Sequence, residues 1–98
     1  MEKEKLLDFC IKYAIEMNVS FTMSKIILND NSILNGFLHV GANDELENGK
    51  FRFIEKILGV DDQDYVLIDC QNIKQVILRR LIGVPTKNPT EIVIDSIS

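Results

Sequence analysis

Few residues of this 98-residue chain have the type and spacing that chemistry requires. His39 is the single histidine. An imidazole can serve as a general base, but only beside a nucleophile and an orienting partner, and no pattern around His39 supplies them. A partly exposed strand residue accounts for it better. Asp61, Asp62 and Asp64 gather three carboxylates in one short stretch. A calcium loop needs more oxygen ligands at fixed spacing and a turn glycine, so a solvated turn is the simpler account and no metal is expected. Gly41 and Gly49 lead into no Gly-Lys-Thr/Ser run, so they do not form a phosphate-cradling loop. Cys10 and Cys70 lack metal-like or redox-like spacing, and their apolar surroundings predict buried, unpaired thiols. These positions imply no catalytic residue and no cofactor, and the sequence points away from an enzyme.

The charge balance narrows the remaining classes. A net charge of −4 opposes a broad electrostatic grip on a polyanion. The average hides a distribution: residues 42–69 hold eight acids against three bases, whereas 70–82 hold Lys74, Arg79 and Arg80 and no acid. Those cations could contact phosphates, although strand-edge cations also guard against unwanted pairing. Phe51 and Phe53 share one strand face. They could stack on bases, but core packing is the commoner use of alternating phenylalanines. No charged start leads into an apolar leader segment and no apolar run approaches 18 residues, so a cytoplasmic location is expected by default.

The elements that must position these residues follow from periodicity. A hydrophobic fraction of 46% with 27% charged residues is ordinary for a folded chain, and the length allows one domain. Over 2–18 the apolar residues Leu6, Leu7, Cys10, Tyr13, Ala14 and Met17 recur at three and four, predicting a helix with a broad apolar stripe. Beyond Asn18 the pattern becomes short runs rich in Val, Ile, Phe and Thr. Strands are predicted over 19–28, 33–40, 50–58, 65–69 and 73–81. Asn29-Asp30-Asn31-Ser32 forms a turn from residues that tolerate left-handed backbone. Gly36, inside the second strand, signals sharp bending or close backbone approach. Residues 41–49 make an acidic loop and 59–64 a polar turn. Helix and strands form one domain over 1–82. Residues 83–98 form a tail broken by Pro85 and Pro89, with Ile92, Val93 and Ile94 as a short extra strand or a docked segment. One helix and five hairpin-linked strands predict a mainly β fold: a small, strongly bent, five-stranded antiparallel barrel.

These strands resemble the Sm and Sm-like family of ring-forming small barrels. Leu28, Asp30, Asn31, Leu34, Gly36 and Leu38 reproduce the first half of the family's first motif, with Asn31 at the turn glycine's place. Asp44 and Asn48 keep the mutual spacing of its second half but lie two residues further from Gly36. The run from Ile68 through Asp69, Cys70, Gln71, Asn72 and Ile73 to Val76 keeps the spacing of the second motif, with Asp69 and Cys70 in place of Arg-Gly. The resemblance covers 19–78 together with the preceding helix. It implies a homo-oligomeric ring in which strand 65–69 of one copy pairs with strand 73–81 of the next. It further implies single-stranded RNA held near Asp44, Asn48 and Lys74. Asp69 puts the RNA contact in question, because an acid stands where a cation would face phosphate. The competing expectation is a barrel used for protein–protein assembly without a nucleic-acid role. In the Sm-like arrangement, pairing through strand 73–81 leads to the expectation that a proline at Ile77 breaks assembly before fold.

Overall fold

The computed structural model describes residues 1–19, 21–55, 65–82 and 90–98. The predicted turn over 59–64, with its three aspartates, and the end of the third predicted strand lie outside these residues. The chain begins with α1 (Lys3–Lys12) and a short α2 (Ala14–Met17). The single helix expected over 2–18 is interrupted at Tyr13, whose backbone leaves the helical region at φ −110 and ψ 23. No glycine or proline marks the break. It coincides with a tertiary bond, Tyr13 Oη donating to the Asp95 carboxylate at 2.5 Å.

Six strands follow: β1 (Thr22–Leu28), β2 (Ile33–His39), β3 (Lys50–Glu55), β4 (Val66–Asp69), β5 (Ile73–Ile82) and β6 (Thr90–Ile97). They form one antiparallel sheet in the order β4-β3-β2-β1-β5-β6. The turn between β1 and β2 behaves as its residues require. Asn31 takes the left-handed conformation at φ 69, and the Asp30 carboxylate accepts from the Ser32 backbone N–H at 2.9 Å. Residues 41–49 are not wholly a loop, because they contain a short helix, α3 (Asn43–Glu47).

Connectivity dictates the shape of the sheet. β4 and β5 lie four strand steps apart in the order β4-β3-β2-β1-β5, yet a single 3-10 turn, Cys70–Asn72, joins them. In a flat sheet four steps would separate them by about 19 Å. A 3-10 turn of this length advances only about 8 Å, and even a fully extended link would reach only about 15 Å. The sheet must therefore curl until β4 and β5 meet at this corner. Hydrogen bonds pin the corner beside the start of β3 and the end of β1: Cys70 N–H donates to the Gly49 carbonyl at 2.8 Å, and Asn29 N–H donates to the Asn72 carbonyl at 2.9 Å.

Among the described residues no ladder joins β4 to β5, so the curled sheet stays open. The expected closed five-stranded barrel is thus corrected to an open six-stranded sheet with an N-terminal helix. The sixth strand is the tail segment, and it is longer than Ile92–Val93–Ile94 alone. It pairs along β5 from Ile82↔Thr90 to Val76↔Ile97, with a bulge opposite Leu78/Arg79. β6 thus occupies most of the β5 edge that was expected to stay open for a neighbouring copy.

The concave side of the sheet holds the core. Ile26, Leu38, Phe51, Phe53, Ile73, Val76 and Leu78 are essentially inaccessible, and α1 seals them with Leu6, Phe9 and Cys10. Both phenylalanines are fully spent on packing, as their alternation predicts. Gly36 of β2 is buried opposite Glu55 of β3. A Cβ on it would fall inside the van der Waals envelope of the Ile54 carbonyl oxygen, 2.9 Å from the Phe53 ring and 3.1 Å from Glu55 Cα.

Both cysteines are free and buried. Burial penalises the thiolate and pushes the Cys10 pKa up from 9.0 to about 12. Between those values the unfolded thiol has lost its proton and the folded one has kept it. Stability therefore falls as pH rises through that window, by up to about 1.4 kcal/mol per unit. Urea unfolding at pH 8 and pH 10.5 should show the native protein losing about 2 kcal/mol more than Cys10→Ala does. Equal losses in the two proteins would contradict the buried neutral thiol.

Candidate functional site

Asp44 and Asn48 are brought together, though by local structure alone. They lie one turn apart at α3, and the Asn48 side-chain amide donates to the Asp44 carbonyl at 2.9 Å. That bond caps the helix with the group that would otherwise read a base edge. Lys74 lies elsewhere, at the start of β5, where its ammonium donates to Asn31 Oδ1 at 3.2 Å. No described hydrogen bond links Lys74 to Asp44 or Asn48.

A polar cleft of about 860 Å³ borders the β4–β5 corner, and its lining includes Glu47, Asn48, Asp69 and Gln71 but neither Asp44 nor Lys74. Asp69 has a structural role there. Its carboxylate accepts from the Gln71 backbone N–H at 3.0 Å and from Lys50 Nζ at 3.1 Å. The first bond starts the 3-10 turn, and both hold the carboxyl below its usual range. Asp69 is thus spent on the turn and on its ion pair with Lys50.

The three cations of β5 do not form a patch. Lys74 stands at the bulge near the start of β5 and Arg80 six residues further on, about 20 Å away at the rise of an extended chain, with Val76 and Leu78 buried between them. Arg79 lies on the face opposite Val76 and Leu78 and is consumed there. Its guanidinium donates to Glu91 of β6 at 3.0 Å and to Asn35 of β2 at 2.7 Å. Charge counting could not anticipate this network, because its members come from three strands.

His39 is half-buried at the end of β2, opposite Arg52 in the β2–β3 ladder. Burial lowers its pKa, which favours the neutral imidazole. Arg52 is itself engaged: it forms a two-bond pair with Glu45 of α3, with N–O distances of 2.7 and 2.9 Å, and lies 4.3 Å from the centroid of the Tyr65 ring. This pairing holds Glu45 below its usual carboxylate range and fixes α3 against β3. The chain separation of Glu45, Arg52 and Tyr65 left no sequence signal for the cluster. Among the described residues no group of three His, Cys, Asp or Glu side chains could hold a metal ion. None of the helices among the described residues is long and apolar enough to cross a membrane.

Among the described residues β4 and β6 are the two edge strands. On β4 and just before it, Tyr65, Val66 and Leu67 are exposed, Val66 at 57%, and on β6 Ile92 and Val93 are exposed, Val93 at 59%. An edge strand with apolar side chains and unpaired backbone groups is a template for pairing with another chain.

Comparisons with protein-family models, with curated proteins and with solved structures gave no match.

Proposed function

We propose that this chain is an Sm-like module, a curled open sheet whose role is protein assembly, with copies joined edge to edge through β4 and β6. The Sm-like reading is supported by the strand order and by the one-turn corner that curls the sheet. The observation that carries the assembly reading is the pair of edges that stand open among the described residues, each bearing exposed branched apolar residues. β6 covers β5 from Val76 to Ile82, so the contact first expected between strands 65–69 and 73–81 is replaced by β4 against β6 of the next copy. The two edges differ, so this contact is head-to-tail and closes into a ring where the rotation permits. The single-stranded RNA reading has weaker support, because Asp44, Asn48 and Lys74 do not converge.

Light scattering on the eluted protein at tens of micromolar should report a multiple of the chain mass. Val66→Lys with Ile92→Lys should reduce it to the monomer mass with little change in melting temperature, because both side chains face solvent. A native protein that elutes as a monomer at that concentration overturns the assembly reading. Salt-sensitive retention on poly-U resin would restore the RNA reading in its place.

A further inference from the structure

The two halves of β6 are held differently. Residues 90–93 pair with β5 from Ile82↔Thr90 to Arg79↔Val93, and all four are exposed. Residues 95–97 pair from Leu78↔Asp95 to Val76↔Ile97. Among the described residues Ile94 has no partner on β5, so it is the extra residue of the bulge. The second half is tied down from the concave side. Ile94 and Ile97 pack against the core, and the Asp95 carboxylate accepts from Tyr13 Oη at 2.5 Å. The bulge makes this possible. In a ladder continued without it from residues 90–93, Asp95 would face the convex side, away from Tyr13 and α1.

A bulge also interrupts the evenly spaced row of backbone N–H and C=O groups along the outer edge of its strand. A strand adding to that edge can follow it on one side of Ile94 only. The 90–93 side is the one with exposed apolar residues, Ile92 and Val93. It offers four residues, about 13 Å of ladder. β4, the other edge strand among the described residues, is also four residues long and carries exposed Val66 and Leu67.

We propose that β4 of a second copy docks on residues 90–93 of β6 alone, and that the bulge at Ile94, fixed by the Tyr13–Asp95 bond, stops the pairing there. The inference rests on the edge-to-edge assembly and sets the limits of its contact. The stop has a second effect. Two β6 edges are identical, so without the bulge they would meet antiparallel as self-complementary strands longer than β4. The bulge bars that pairing and leaves β4 as the partner. A contact of four residues against four is well below a standard interface in size, so the assembly depends on protein concentration.

Light scattering on the full chain tests this. Ile92→Glu should reduce the native assembly to the monomer mass, because a charge on an edge strand blocks pairing. Ser96→Glu, also at an exposed position but beyond the bulge, should leave the mass unchanged. Val66→Lys should be a monomer, and deleting Ile94 from that variant should give twice the chain mass, because β6 then presents one unbroken edge to β6 of a second copy. Thermal transitions by circular dichroism identify the folded variants. Should the deletion not fold, the Ile92 and Ser96 variants decide alone. A native monomer removes the assembly reading and this inference with it. A native assembly that survives Ile92→Glu, or that Ser96→Glu also dissolves, overturns this inference and leaves the assembly reading in place. A folded Ile94 deletion in Val66→Lys that stays monomeric does the same.

Discussion

Replacing Gly36 with valine is expected to abolish the fold or to cost at least about 3 kcal/mol. A valine in a strand interior ordinarily gains a little from β-propensity, since its branched side chain suits a pleated surface. Here that gain is overwhelmed at the first carbon. The Cβ alone meets the backbone carbonyl of Ile54, and the Phe53 ring already fills the space above the glycine. Backbone cannot turn aside as a flexible side chain can, so β2 and β3 would have to separate and the sheet to flatten. The same argument makes Gly36→Ala nearly as damaging, which distinguishes close approach from simple overpacking by a larger group. Urea unfolding of both variants checks this. An alanine variant within about 0.5 kcal/mol of the native protein would refute the close approach.

A proline at Ile77 should also unfold the protein, contrary to the expectation that it would break only assembly. Ile77 is not at an edge. It pairs with Lys25 of β1 on one side and with Ser96 of β6 on the other. Proline removes the backbone donor, and its ring crowds the neighbouring strand, so the ladder fails in the middle of the sheet. The cost should exceed about 3 kcal/mol, seen as loss of a cooperative thermal transition by circular dichroism. A folded monomer from Ile77→Pro would mean that β6 does not cover this edge. The edge substitution Val66→Lys should by contrast leave the transition in place, and the two variants together locate the real boundary of the sheet.

The elements were legible to different degrees. Periodicities of three to four residues and of two are set by side chains meeting a core. The N-terminal helix and the strands around Ile26, Leu38, Phe51 and Phe53 could therefore be placed from pattern alone. The Asn29–Ser32 turn was equally plain, because few residues other than asparagine and glycine accept the φ of Asn31. The burial of Cys10 and Cys70 and the tight site of Gly36 followed from the same local logic.

The helix break at Tyr13 was hidden, since it accompanies a bond to Asp95, 82 positions away. The length of β6 was hidden too: Asp95 and Ser96 look polar in sequence, but a bulge at Leu78/Arg79 lets the strand continue past them.

By itself, the sequence determined that this is a mainly β chain with an N-terminal helix, and which side chains would be removed from water. Those outcomes depend on neighbours a few positions apart, whose spacing is written in the chain. Only the tertiary structure decided which strand became an edge, which charges were spent on one another and which stayed free. Arg79 met Glu91 and Asn35, Arg52 met Glu45 and Tyr65, and Asn48 capped its own helix. The physical reason is one of range. A hydrogen bond or ion pair acts over a few ångströms, and which groups come that close is set by the curl of the sheet, a property of no single segment.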